Sequence, residues 1–250
     1  MVETLTAVVR REGSPMAKSQ PFGFKQTIPA YLDPSYNISD FATGVTFAST
    51  ATGYDIATSN VLSVIPLWKQ LEYYKNYQKQ LQAYLGERKA NDVISHALCM
   101  TSTGTNDFLE NCYAIPGISS EYTVEEYENF LVGIAGSFTE KLHEFGARKI
   151  SLGGLPLMGC MPLERTGNFM GGSECVGSFN YVAAAFNGKL NSLVIEQNKK
   201  FDGMQMVFSD PYGRKPADYG RGRGNRGGVL CDRVVRDGIR MQSEKLIYMF

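Results

Sequence analysis

Three stretches of the chain repeat apolar residues at steps of three and four. Leu67, Leu71, Tyr74, Leu81 and Leu85 share one helical face, which predicts an amphipathic helix over 61–86. Pro66 suits its first turn and Gly86 its end. Thr123 and Glu126 have capping-box spacing, and Val124, Tyr127, Leu131, Ile134, Phe138 and Leu142 continue the pattern up to Gly146. A third helix is predicted over 178–199, with Val182, Phe186, Leu190, Leu193 and Ile195 as its apolar set. Short apolar runs lie between them: Val45–Ala48, Ile94–Met100, Lys149–Leu152 and Met204–Phe208. Helices alternating with short buried strands predict an α/β fold with a parallel sheet covered on both faces. Ligands of such sheets bind at the carboxyl ends of the strands. The loops to search are therefore Ser49–Gly53, Gly104–Asp107, Gly153–Pro156 and Ser209–Tyr212.

Composition agrees with a packed core. Of 250 residues, 43% are hydrophobic, which excludes a disordered or collagen-like chain and fits one α/β domain. The formal net charge is zero, which argues against a nucleic-acid partner. That zero is a cancellation: residues 1–22 carry 3 basic and 2 acidic groups, residues 23–213 carry 13 and 19, and residues 214–250 carry 9 and 4. A membrane-spanning helix needs about 20 apolar residues in a row, and the sequence contains no such run. Residues 1–22 have no apolar stretch of signal-peptide length as written. The cysteines, at 99, 112, 160, 175 and 231, show no metal-site spacing and read as buried thiols. Cys160 and Cys175 could close a short loop in an oxidising compartment. Asn37-Ile38-Ser39 is a glycosylation sequon, which matters only in a secreted protein.

Gly104-Thr105-Asn106-Asp107 follows an apolar strand. A glycine there lets backbone approach a ligand, and an Asn at a strand end can donate amide hydrogens to a developing oxyanion. Taken alone, Asn-Asp in a loop is also the usual composition of a turn or helix cap. Other blocks share the chain with it: Ile28-Pro29-Ala30-Tyr31-Leu32-Asp33-Pro34, Gly44-Val45-Thr46-Phe47-Ala48-Ser49, Pro66-Leu67-Trp68-Lys69-Gln70-Leu71 and Gly154-Leu155-Pro156-Leu157-Met158-Gly159-Cys160. Through these, and up to Asp210-Pro211-Tyr212, residues 23–213 resemble the plant GDSL esterase/lipases of the SGNH hydrolase superfamily.

The resemblance implies a three-layer, flavodoxin-like α/β/α fold with strand order 2-1-3-4-5. It also implies hydrolysis of carboxylic esters or lipids by a serine, without cofactor or metal. The serine would sit in a Gly-Asp-Ser-Leu block near the N-terminus and its His in an Asp-x-x-His block near the C-terminus, with donors aimed at the oxyanion. Asn106 matches the oxyanion asparagine of Gly-x-Asn-Asp, and Gly104 is that block's loop glycine. Ala51 stands where the oxyanion glycine is expected, and its N–H serves as a donor if its φ is negative. No Gly-Asp-Ser and no Asp-x-x-His block occurs. The two histidines, His96 and His143, read as structural. The expected sheet is therefore incomplete, lacking the central first strand and the catalytic C-terminal helix. Thr4–Val9 is a modest substitute strand, and marginal folding is expected.

The chain divides into an unmatched 1–22, a partial hydrolase domain 23–213 and a basic tail 214–250. Back-translating Leu230–Gln242 with one choice of codons and reading one base later gives Cys-Ala-Thr-Gly-Trp-Phe-Glu-Met-Gly-Tyr-Ala-Cys. That resembles the family segment expected after Pro211-Tyr212, so the tail reads as a shifted frame. Gly222–Gly227 fits a dinucleotide-binding pattern, but it follows no strand and opens no helix. Arg221, Arg223 and Arg226 are too few for an RNA-binding segment. The expected partner is a small ester or lipid, not nucleic acid. Members of the resembled family are typically secreted.

Overall fold

The computed structural model describes residues 28–112, 121–167, 174–210 and 246–249. Asn37 opens a short helix with a capping box: its side chain accepts from the Ser39 amide, and the Asp40 carboxylate accepts from the Asn37 amide. That helix, α1 (Ile38–Phe41), buries Phe41 and leads into strand β1 (Gly44–Thr46). Asp55 caps α2 (Ile56–Leu62) by accepting from the Ala57 amide. Ser63 ends α2 with φ 52°, in the left-handed region. The single helix expected over 61–86 is thus corrected to two elements, and α3 (Leu67–Leu85) restarts after Pro66.

The run Ile94–Met100 is likewise corrected from strand to two elements. Ala90, Val93 and Ile94 keep helical spacing with buried side chains, so they belong to α4 (Glu87–His96). Strand β2 (Leu98–Ser102) starts after it. A π-helical segment (Asp107–Cys112) follows β2. The Thr123–Glu126 capping box is formed in both directions and starts α5 (Val124–Glu144). Then come β3 (Lys149–Gly153), a 3-10 turn (Met158–Cys160), α6 (Pro162–Gly167), α7 (Gly177–Lys200), β4 (Gln205–Ser209) and β5 (Leu246–Met249).

The strands form one parallel sheet in the order β1-β5-β2-β3-β4, flanked by helices as a three-layer α/β/α fold. Every position of β3 is buried, as expected of a strand covered on both faces. Aromatic rings dominate the core. Tyr74, Tyr77, Phe108, Tyr127 and Phe186 are almost fully buried, and Phe108 meets Tyr127 and Phe186 edge-on at 5.9 and 5.4 Å.

One sheet position departs from expectation. The slot between β1 and β2, where the resemblance puts a first strand, is filled by β5. Leu246 lies opposite both Gly44 and Leu98, and Met249 lies opposite Thr101. The expectation of an open central slot is corrected, because a segment from far along the chain satisfies the ladders on both sides. The Thr4–Val9 substitute and most of the 214–250 tail lie outside the described residues.

Candidate active site

Two loops leave the carboxyl ends of β1 and β2, and a set of buried and part-buried hydrogen bonds ties them together. The Thr52 carbonyl accepts from Thr103 Oγ1 at 2.8 Å and from Asn106 Nδ2 at 3.3 Å. Thr52 Oγ1 donates to the Ile65 carbonyl at 2.8 Å and accepts from Gln70 Nε2 at 3.3 Å. Ser49 Oγ accepts from the Ile65 amide at 3.2 Å. The first loop is therefore fixed both to the start of α3 and to the second loop.

Asp107 fixes it more deeply. Its carboxylate is fully buried and accepts from the Tyr54 amide at 2.7 Å, the Asp55 amide at 3.0 Å and Thr58 Oγ1 at 2.7 Å. Gly53 makes room for that carboxylate: a Cβ there would stand 2.1 Å from Asp107 Oδ1. Burial pushes the Asp107 carboxyl up to about 7, with the nearby Asp55 carboxylate adding to the rise and the three donors opposing it. Asp55 in turn accepts from Tyr127 Oη at 3.1 Å, which links the clamp to α5.

The three residues singled out from the sequence meet at these loops. Gly104 takes φ +116°, where a side chain would press on Leu155, Tyr54 and Phe186. Only glycine suits that combination of backbone and space. Asn106 is half-buried and spends one of its two amide hydrogens on the Thr52 carbonyl. Ala51 sits one residue from that contact, with φ +71°. The condition of a negative φ is thus overturned: an alanine occupies a backbone conformation that glycine adopts without strain, at a cost of about 1 kcal/mol. Sequence reasoning missed Asp107, Gly53 and Thr103 as the parts that hold Asn106. The Gly-x-Asn-Asp block contained the signal for Asp107, but its partners at 54, 55 and 58 are set by tertiary contact.

Both histidines stand at the other edge of the sheet. His96 ends α4 just before β2 begins, with Nδ1 2.9 Å from the Asp92 carbonyl and 3.2 Å from Asp92 Oδ1. His143 lies near the end of α5, its ring 5.0 Å from that of Phe201. The length of β2 separates His96 from Asn106, about 15 Å of extended strand. Among the described residues no cluster of three or more His, Cys, Asp or Glu could hold a metal, and no helix is long and apolar enough to cross a membrane.

The loops after β3 are held differently. Asn187 of α7 accepts from the Leu155 amide at 2.7 Å and donates to the Leu155 carbonyl at 2.9 Å. Cys160 and Cys175 form a disulfide.

The sequence model of the GDSL-like Lipase/Acylhydrolase family matches residues 11–239. The chain belongs to that family. It is 62% identical to the GDSL esterase/lipase At2g04570 of Arabidopsis thaliana over 194 residues, covering 78% of this chain and 55% of that protein. With At4g26790 of the same plant it is 55% identical over the same shares, and with the GDSL esterase/lipase APG 36% identical, again over those shares. The chain spans about half the length of these curated relatives. As a GDSL family member it carries Asn106 and Gly104 on a rigidly clamped loop pair, with neither histidine on that side of the sheet.

Proposed function

We propose that this chain is a GDSL-type carboxylic-ester hydrolase scaffold that binds acyl esters or lipids at the Ala51–Asn106 loops without hydrolysing them. The observation that carries this reading is the separation of Asn106 from both histidines of the sequence, with no Gly-Asp-Ser block beside it. A serine hydrolase needs a base in hydrogen-bond reach of its nucleophile. An oxyanion donor alone gives only a small residual rate. Exposed Ile56, Val61 and Trp68 on the elements flanking the loop offer apolar surface for an acyl group.

The division into 1–22, 23–213 and 214–250 belongs to the same proposal, with the tail as the product of a shifted reading frame. Sequencing the transcript across codons 205–250 tests it, and an in-frame Asp-x-x-His block in the mature message would overturn it.

Turnover of 4-nitrophenyl butyrate tests inactivity. The full chain should match its Asn106→Ala variant, and a rate clearly above that control would refute the reading. Binding is read separately. Trp68 is the sole tryptophan, so an unhydrolysed short-chain ester should change its fluorescence saturably, and Asn106→Ala should weaken the response.

A further inference from the structure

The filled slot between β1 and β2 has a consequence for association. β1 and β2 do not pair with each other, so each relies on β5 for the ladder on its facing edge. Among the described residues, the main contacts of β5 are with these two strands. What the slot recognises is a short extended segment in parallel register, and main-chain hydrogen bonds carry such recognition wherever the segment comes from.

The topology also loosens the link between slot and occupant. β4 lies at the far edge of the sheet, so the chain must pass β3 and β2 to place β5. Three strand spacings amount to about 14 Å. Residues 210–245 connect the two strands, and a connection of that length can reach on the order of 100 Å when extended. By residue count its contour length is therefore far greater than the distance between the two strands, enough to reach the slot of a neighbouring molecule. Exchange replaces each β5 contact with the same contact made between chains.

We propose that the slot between β1 and β2 is a strand-acceptor site that takes the Leu246–Met249 segment of a second copy of this chain, giving a strand-exchanged dimer. The inference goes beyond ester binding and does not depend on it. A segment joined to its own slot within one chain competes there at an effective concentration on the order of millimolar. Exchange accordingly sets in when the protein is refolded near that concentration, and the dimer persists after dilution because release requires both sheets to open.

Refolding the full chain across a concentration series, followed by sizing after dilution, reads this directly. Dimer is expected near millimolar protein and monomer at micromolar. Ile247→Pro removes a ladder donor from a central strand, which should lower the melting temperature by roughly 10 °C. It should also abolish the dimer. A peptide of residues 243–250 should bind the Ile247→Pro chain saturably at one per chain and restore its melting, while the same peptide carrying proline should not. If the proline variant does not fold alone, refolding it with the peptide should recover a soluble complex. The proposal is overturned if the wild-type chain stays monomeric near millimolar, if Ile247→Pro dimerises equally well, or if the peptide neither binds nor rescues.

Discussion

The loop pair after β1 and β2 and the neighbouring loop after β3, both at the carboxyl edge of the sheet, are held by different chemistry. The loops after β1 and β2 hang on a buried carboxylate, Asp107, which gathers two amides and a hydroxyl. The loop after β3 hangs on a neutral amide, Asn187, and the segment beyond it on the Cys160–Cys175 disulfide. An amide matches a backbone donor and acceptor at once and does not titrate. A carboxylate binds several donors but brings a charge into the core. The comparison teaches that the anchor of the loop pair carrying Asn106 is a group that can titrate, while the anchor of the neighbouring loop is not.

The largest expected effect strikes the first region. Asp107→Ala leaves the Tyr54 and Asp55 amides and the Thr58 hydroxyl without their buried acceptor, and should destabilise the protein by about 4 kcal/mol in urea unfolding. A loss below about 1 kcal/mol would mean that the clamp does not hold the loops. Breaking the second region comes next. Cys160→Ser opens a loop with a sequence separation of 15 residues, and the cost should be about 3 kcal/mol. Dithiothreitol should lower the wild-type melting temperature and leave that of Cys160→Ser unchanged.

Titration sharpens the contrast further. The Asp107 carboxyl is raised from 3.8 to about 7 in the folded chain. Between those values the unfolded chain has lost the proton that the folded chain keeps. The stability this group contributes is therefore fully present below about pH 4 and is lost as pH rises through about 7. Its slope is at most about 1.4 kcal/mol per pH unit. Urea midpoints across that window should fall for the wild-type chain, and Asp107→Asn should flatten the trend. Asn187→Asp, by contrast, should introduce a pH dependence at the second anchor. The smallest effect has the opposite sign. Ala51→Gly relieves a left-handed alanine and should stabilise the protein by up to about 1 kcal/mol, a gain that calorimetry would detect.

Much of the framework was legible from pattern alone. The Thr123–Glu126 box and the apolar series behind it specify α5, because capping and helical periodicity are local. The runs at 149–152 and 204–208 specify β3 and β4 for the same reason. Helical continuity failed where a single residue changed backbone conformation, as at Ser63. The Ile94–Met100 run misled because a short apolar run does not distinguish a buried strand from the end of a helix. At the site, Asn106 and Gly104 were readable as a motif, whereas the acceptors and donors around Asp107 lie some 50 residues apart in sequence.

By itself the sequence determined the family, the alternation of helices and strands and the residue types at the candidate site, all of which rest on local order along the chain. Tertiary structure alone decided which segment completes the sheet. Leu246–Met249 carries no strong signal of its own, but the open ladders of β1 and β2 give a short extended apolar segment its place. It also decided that Ala51 stands in a glycine's conformation. Those outcomes depend on how distant segments meet, which no local pattern encodes.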